Sequence, residues 1–289
     1  MLSKRIIASL IVKDGIVVQS VGFKKYLPIG SPEIAVEFLN QWGADEIVVV
    51  DIEASRENRT LDLGLLARLA DKSMVPLTVG GGINSVETIR QLIRMGADKV
   101  VINRAAIEHP ELIHEAARIF GNQCVVVSID AKEVGEGRYE AFTDSGRTGT
   151  GKDPVEVARS CAAQGAGEIF IRSIDRDGSK KGFDTELIRR VSEAVDIPVV
   201  AAGGCGHPQH IADAFQNGHA DAVAVGNSFH FTEHSVTIAK AFLKSDFPIR
   251  LDTYATYAHT TFDDAGRLAK QDDAVLEKLR FEYHPKEVI

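Results

Sequence analysis

Two glycine-rich turns, one in each half of the 289-residue chain, have the composition of anion-binding sites. Glycine turns that lead into helices present free backbone N–H groups and the positive end of a helix dipole, which together favour phosphate. Because each half supplies one turn, we predict a ligand with two anionic ends. The candidate residues are Gly81 and Gly82 with Asn103 and Arg104 in the first half, and Gly203 and Gly204 with Gly226 and Asn227 in the second half.

Charged side chains also follow apolar runs of the sequence. Asp51, Asp130 and Asp177 each come at or just after the end of a run rich in Val or Ile. A carboxyl group in such a position can act as a general acid or base. Arg172 follows the same alternation as Glu168, so we expect its guanidinium to point inward, where it can hold a phosphate or carboxylate with two hydrogen bonds.

These residues need a scaffold that brings the ends of many strands together. Short β-branched runs alternate with amphipathic stretches along the chain, and continuous Val and Ile runs are typical of a parallel sheet covered on both faces. The predicted strands are Arg5–Val12, Glu46–Asp51, Pro76–Val79, Lys99–Asn103, Cys124–Asp130, Glu168–Ser173, Pro198–Ala202 and Ala222–Val225. The clearest predicted helices are Ser31–Trp42, Ser85–Met95, Pro110–Phe120, Pro154–Gln164, Asp184–Ala194 and His207–Gln216.

Eight strands that alternate with helices predict an α/β fold, a closed (β/α)8 barrel, whose active site lies at the carboxyl ends of the strands. An open doubly wound sheet is the alternative, but no G-x-G-x-x-G motif follows the first strand. An internal repeat supports the barrel, because Gly43–Ile47 recurs as Gly165–Ile169 and Ser9–Lys13 recurs as Ser128–Lys132, both after roughly 120 residues. The barrel is therefore predicted to consist of two similar halves.

Composition and charge narrow the class of protein. A net charge of −8 argues against a nucleic-acid partner, which would require clustered Lys and Arg. The three cysteines are far apart, which suggests no disulfide framework, and no apolar run has the length of a signal peptide or a membrane span. We expect a cytoplasmic enzyme with no membrane partner, formed by a barrel domain over residues 1–251 and a polar extension over residues 252–289. Neither a cofactor motif nor a metal-ligand spacing is found, and none is expected.

Six motifs are specific when they occur together in one chain. They are Lys4–Ile7, Val12–Gly15, Thr78–Ile83, Gly96–Val100, Ile129–Lys132 and Ser173–Gly178. In this combination the chain resembles the cyclase subunit of imidazole glycerol phosphate synthase over roughly Met1–Leu251. The resemblance implies a (β/α)8 barrel with a glutaminase subunit docked on its bottom face. Ammonia then crosses the barrel and reacts at the top with a bisphosphorylated ribulosyl substrate, which is cleaved and closed into an imidazole ring.

The resemblance also assigns roles at the amino ends of the strands. The residues that match the family's ammonia gate are Arg5, Glu46, Lys99 and Glu168. Two cations and two anions can neutralise one another at a barrel mouth, whereas the residue types alone would equally fit solvated strand ends. Asp98 and Gln123 match positions at the glutaminase interface.

One catalytic position departs from the family pattern. The resemblance implies an acid and a base at the ends of the first and fifth strands, and Asp130 is present while Ile11 stands at the partner position. The internal repeat reveals the same departure, since Ile11 aligns with Asp130. Ile16 and Gln19 also replace cationic side chains in the first loop. An isoleucine cannot transfer a proton, so efficient ordinary cyclase activity is not expected.

The leading hypothesis is a barrel synthase subunit that takes ammonia from a glutaminase and uses Asp130 as its remaining acid or base on a phosphorylated substrate. The chain also resembles divergent relatives from surface-polysaccharide assembly, which supply nitrogen for acetamidino sugars to a third protein and carry an aliphatic residue at the Ile11 position. Three alternatives remain. The first is a genuine cyclase of histidine biosynthesis, in which Asp51 or Asp177 replaces the missing aspartate. The others are a catalytically silent scaffold that channels ammonia and the sister isomerase of the same pathway. The isomerase hypothesis is weaker, because that enzyme does not need a charged gate.

Overall fold

The computed structural model describes residues 3–254, which form a closed barrel of eight parallel strands with helices outside it. In order around the barrel the strands are β1 (Arg5–Lys13), β4 (Glu46–Asp51), β5 (Leu77–Gly80), β6 (Lys99–Ile102), β7 (Val125–Gly135), β10 (Glu168–Ser173), β11 (Val199–Ala202) and β12 (Ala222–Val225). Pairing of β12 with β1, and of β7 with β10, closes the sheet. The predicted (β/α)8 barrel is confirmed, and all eight predicted strands are present.

Two barrel strands continue into antiparallel hairpins that the sequence pattern did not predict. The first hairpin adds β2 (Ile16–Val21) and β3 (Lys25–Gly30) to β1, and the second adds β8 (Arg138–Thr143) and β9 (Thr148–Gly149) to β7. Asp14 and Gly15 have φ of 50° and 76°, the backbone that an Asp-Gly pair adopts in a two-residue hairpin turn. Because β1 and β7 are equivalent in the repeat, each half-barrel carries one hairpin beyond the carboxyl ends of its strands.

Helices connect the strands on the outside of the barrel. They are α1 (Pro32–Gln41), α2 (Leu63–Lys72), α3 (Val86–Arg94), α4 (Arg104–Glu108), α5 (Glu111–Phe120), α6 (Pro154–Ala163), α7 (Thr185–Ser192), α8 (Pro208–Gln216), α9 (Asn227–His230) and α10 (Ser235–Leu243). The six predicted helices are all present, and Ser31, Ser85 and Asp184 cap α1, α3 and α7 by accepting a backbone N–H. Among the helices of residues 3–254, none combines the length and apolar character that crossing a membrane would require.

Burial on both faces of the sheet explains the continuous apolar runs in the sequence. Outward-facing residues such as Ile6, Leu10 and Ile47 pack with the helices in one large core. Inward-facing residues fill the barrel in a second cluster of Ile7, Val48, Val101, Val126, Phe170, Val200, Ala202, Ala222 and Ala224. The barrel interior is therefore a packed apolar column, with polar groups confined to its two ends.

Residues 252–254, predicted to belong to the extension, contact the barrel directly. Thr253 Oγ1 lies 3.0 Å from the Gly43 carbonyl oxygen and 2.8 Å from Lys240 Nζ, and Lys240 forms a buried ion pair with Asp45. These contacts join the chain beyond Leu251 to the start of β4. The rest of the predicted extension lies outside the described residues.

Candidate active site

A cavity of about 380 Å³ opens at the carboxyl ends of the strands, within the size range of small-molecule sites. The predicted site residues that line it are Ile11, Asp51, Gly81, Gly82, Asn103, Arg104, Asp130 and Arg172. Both hairpins also contribute, with Phe23 and Tyr26 from the first and Arg147 and Thr148 from the second. Sequence reasoning missed these hairpin residues, although the Asp-Gly pair after β1 is a signal for the first hairpin.

The first predicted anion-binding turn lies at the edge of this cavity, where β5 leads toward α3. Gly81 and Gly82 have φ of 116° and 68°, and a Cβ at Gly82 would run into the carbonyl oxygen of Arg59. Both positions therefore favour glycine. Asn103, which precedes α4, donates its side-chain amide to the Ser128 carbonyl at 3.0 Å. The structure thus brings the turn and the end of β6 together, as expected.

Two charged residues beside this turn already have partners in the protein. Arg104 forms an ion pair with Asp144 from the turn between β8 and β9. Asp51 accepts a hydrogen bond from Arg59 Nη1 at 2.5 Å and another from the backbone N–H of Glu53 at 3.0 Å. The carboxylate of Asp51 therefore organises the loop after β4, and the second hairpin neutralises Arg104.

Asp130 lies at the carboxyl-end face of the barrel with only 8% of its surface exposed. Within residues 3–254, its Oδ1 atom has no hydrogen-bond partner. Burial raises the pKa of the Asp130 carboxyl to about 6, with Arg172 opposing the rise and Asp177 adding to it. A carboxyl that titrates close to neutral pH can both release and accept a proton, as general acid–base catalysis requires.

Arg172 pairs in register with Asp130 on the neighbouring strand, and its side chain points inward as predicted. Its guanidinium carbon lies 5.6 Å from the ring centroid of Phe23 and 5.3 Å from that of Phe170, an arrangement that stabilises a cation. Across the described part of the chain, this guanidinium forms neither a hydrogen bond nor a salt bridge. A buried cation without an acceptor is suited to bind an anionic group of a ligand.

Ile11 lies where the resemblance places the second catalytic carboxyl group. It pairs in register with Val50 on β4 and with Val18 on β2, and only 8% of its surface is exposed. Both register partners are aliphatic, and Ile11 lines both this cavity and a smaller one beside it. The side chain of Ile11 therefore offers no group that transfers protons.

The second predicted anion-binding turn lines that smaller cavity, which measures about 40 Å³. The first hairpin covers it, because Ser20 Oγ donates to Asp177 at 2.7 Å and Asn227 Nδ2 donates to the Ser20 carbonyl at 2.6 Å. The predicted residues around this cavity are Asp177, Gly203, Gly204, Gly226 and Asn227. The two turns are thus not equivalent, since only the first opens into the large cavity.

His230 also lines the smaller cavity and was not among the predicted site residues. It ends the single turn of helix that begins at Asn227, and this close spacing to a predicted residue is the signal that could have identified it. Burial lowers the pKa of its imidazole to about 4, so it is neutral at physiological pH. In residues 3–254, no group of His, Cys, Asp and Glu side chains converges in a way that could hold a metal ion.

Four charged residues form a closed ring at the opposite, amino-end mouth of the barrel. Arg5 Nη1 lies 3.0 Å from Glu46 Oε2 and 3.1 Å from Glu168 Oε1, and Lys99 Nζ lies 2.9 Å from each of these oxygens. Thr78 Oγ1 donates a further hydrogen bond to Glu46 at 2.6 Å. The side chains are mostly buried, so the mutual pairing offsets a substantial part of their desolvation. Sequence reasoning placed all four correctly at the strand starts.

Asp98 and Gln123, predicted at a partner interface, are both exposed at this same end of the barrel. Asp98 directly precedes Lys99 of the ring, and its carboxylate accepts the backbone N–H of Leu77 at 2.8 Å. Gln123 lies in the short turn that leads into β7. Their surface at the barrel bottom is accessible to another protein.

A family model described as "Histidine biosynthesis protein" matches residues 5–235 of the chain. The match runs from the first residue of β1 to the first residue of α10, and it includes the charged ring, both predicted anion-binding turns and the Asp130–Arg172 pair. Since this is most of the chain and the whole of the barrel sheet, the chain belongs to the histidine biosynthesis protein family, as one of its (β/α)8 barrels.

Proposed function

We propose that the chain is the synthase subunit of a glutamine amidotransferase of the imidazole glycerol phosphate synthase type. It receives ammonia from a separate glutaminase subunit at the bottom of the barrel and uses it at the top on a phosphorylated ligand, with Asp130 as acid or base. The observation that carries this proposal is the closed ring of Arg5, Glu46, Lys99 and Glu168 beneath the barrel interior.

Stability alone is a weak reason for such a ring. Replacing a buried network of ion pairs with apolar residues is often neutral or stabilises a protein by about 1–4 kcal/mol. A ring of charges at a barrel mouth can instead control the entry of a small polar molecule. Above the ring the interior is lined by apolar residues such as Val48, Val126 and Phe170, through which neutral ammonia would pass more easily than an ammonium ion.

Ordinary ring closure is not the best-supported chemistry for the upper site. Ile11 supplies no proton-transfer group, and the two carboxylates that could replace it are engaged, Asp51 with Arg59 and Asp177 with Ser20. A barrel that keeps the ammonia gate but lacks one catalytic group fits a diverged role. We infer that it supplies nitrogen for acetamidino-sugar synthesis, with a third protein as the receiver.

The glutaminase partnership is tested by mixing the chain with the purified glutaminase subunit of an imidazole glycerol phosphate synthase. We expect a complex in size-exclusion chromatography and a glutamine hydrolysis rate at least about tenfold above that of the glutaminase alone, because subunit contact assembles the active form. Gln123→Lys should weaken the complex, whereas Glu136→Lys, on the hairpin at the other end of the barrel, should not. Equal effects of both variants would contradict docking at the bottom face.

The loss of ordinary cyclase activity is tested with ammonium salt and the bisphosphorylated ribulosyl substrate. We expect the Ile11→Asp variant to turn this substrate over at least about 100-fold faster than the wild type, since a positioned acid or base contributes that much. Ile11→Asn is the matched control, because asparagine has the size of aspartate but cannot act as a general acid or base. Wild-type turnover at the rate of an ordinary cyclase would exclude the diverged function and favour a genuine enzyme of histidine biosynthesis.

A further inference from the structure

Arg172 lies between the two cavities of the upper site, as do Ile11 and Ser20. Arg172 lines both of them, and more than nine-tenths of its surface is buried. The rings of Phe23 and Phe170 contact the guanidinium, at 5.6 and 5.3 Å from their centroids, and supply no hydrogen-bond acceptor. In the described part of the chain, nothing else accepts its N–H groups either. The side chain is therefore positioned by apolar contacts, and its donors are available to a ligand in the cavity.

Asp130 presents a second unpartnered polar group beside it. Its Oδ1 atom is buried without a hydrogen bond in residues 3–254, and its strand position is directly paired with that of Arg172. A guanidinium offers two parallel N–H donors, and a protonated carboxyl group offers one O–H donor. A planar carboxylate placed between them would satisfy all three. A neutral hydroxyl group in the same place would bring no charge to pair with the guanidinium.

Only the first turn is open to a phosphate in the large cavity. Gly81 and Gly82 line that cavity directly. At the second turn the side chains of Asp177 and Asn227 are bonded to Ser20, so the first hairpin covers the small cavity. Within the large cavity, a ligand therefore meets one glycine turn and one guanidinium.

We propose that the upper cavity takes a ligand with one phosphate and one carboxylate, the phosphate at the Gly81–Gly82 turn and the carboxylate between Arg172 and Asp130. Such a ligand defines the substrate class of the upper site, and this assignment rests on the proposed function only for the presence of a phosphate. The proposed ligand differs from the bisphosphorylated ribulosyl compound, which has no carboxylate.

Two sugar phosphates of the same length test the proposal by isothermal titration calorimetry. Ribonate 5-phosphate and ribitol 5-phosphate have the same carbon chain and the same phosphate. The first carries a carboxylate at the position where the second carries a neutral hydroxymethyl group. We expect the wild type to bind ribonate 5-phosphate at least about tenfold more tightly, since the carboxylate pairs with a desolvated guanidinium. Arg172→Met should reduce this preference to about twofold or less, and Arg172→Lys should retain part of it because a lysine keeps the charge but not the planar fork.

Lys132→Met is the matched control, because this cation lies on β7 close to Asp130 but does not line the cavity. Its preference should equal that of the wild type. The proposal is overturned if the wild type binds both ligands equally or if Arg172→Met keeps the preference. It is also overturned if ribulose 1,5-bisphosphate binds more tightly than ribonate 5-phosphate, because Arg172 would then serve a second phosphate. No glutaminase or ammonia enters these titrations, so their failure is distinct from a failure of the proposed function.

Discussion

Asp130 and Arg172 occupy directly paired positions on β7 and β10, both with less than a tenth of their surface exposed, and yet they form no salt bridge with each other. In the first half of the barrel the equivalent pair in register is Ile11 and Val50. The repeat therefore carries an acid and a cation in one half and two aliphatic side chains in the other. Of these two equivalent pairs, only the one in the second half-barrel has side chains that can transfer a proton or bind an anion.

The buried carboxyl group of Asp130 predicts a pH-dependent loss of stability. Its pKa is raised from 3.8 to about 6, mainly by burial, so the folded state holds the proton more tightly than the unfolded state. The free energy of unfolding therefore falls as pH rises from about 4 and levels off above about 6. Relative to Asp130→Asn, which cannot titrate, the wild type should lose up to about 3 kcal/mol over this range. Urea unfolding of both proteins at several pH values measures the difference, and a constant difference would contradict the assignment.

The charged ring predicts coupled effects on stability. Lys99→Met should lower the free energy of unfolding by about 3 kcal/mol, because Glu46 and Glu168 would then share Arg5 alone. Adding Glu168→Gln restores neutrality and should recover part of the loss, in a double-mutant cycle measured by urea unfolding. Arg189→Met, at an exposed ion pair on α7, is the control and should leave the unfolding midpoint unchanged. Strictly additive effects in the ring would mean that its members do not stabilise one another.

The cover over the second turn depends on Asn227. Its side chain donates to the Ser20 carbonyl at 2.6 Å and accepts from the Ser20 N–H at 3.2 Å, so Asn227→Ala removes both bonds to the first hairpin. We expect faster amide hydrogen exchange over residues 16–30 with unchanged protection of the barrel strands. Asn103→Ala is the matched control, because it removes one side-chain bond to Ser128 and does not touch the hairpin. Similar exchange in both variants would show that other contacts hold the cover.

The barrel could be predicted from the sequence because both faces of its sheet are buried. Each barrel strand is then a continuous apolar run, and residues at strand starts and ends are placed by position alone. For this reason the sequence pattern is sufficient to locate the ring residues at one end of the strands and Asp130 at the other. The first hairpin follows a different rule, since β2 is buried only in part, β3 has no buried residue, and the hairpin depends on a turn at Asp14-Gly15.

The partners of the charged site residues could not be predicted in the same way. Arg104 pairs with Asp144, and Asp177 and Asn227 bind Ser20, through loops that approach only when the barrel is closed. Such contacts join residues far apart in sequence, and no local pattern encodes them. The sequence therefore predicts which residues reach the upper site but not which of them remain available to a ligand.

The ion pair between Lys240 and Asp45 predicts the largest single effect outside the active site. Lys240 is fully buried on α10, its Nζ lies 2.6 Å from Asp45 Oδ1, and the other carboxylate oxygen accepts the backbone N–H of Ile6 at 2.7 Å. Lys240→Met should lower the free energy of unfolding by about 3–5 kcal/mol, because it leaves a buried carboxylate without its cation. Combining Lys240→Met with Asp45→Asn should recover much of the lost free energy of unfolding. Lys244→Met, one turn further at the exposed end of α10, is the control and should leave the urea midpoint near that of the wild type. A single variant as stable as the wild type would show that the Ile6 N–H and the Thr253 hydroxyl are sufficient to hold Asp45.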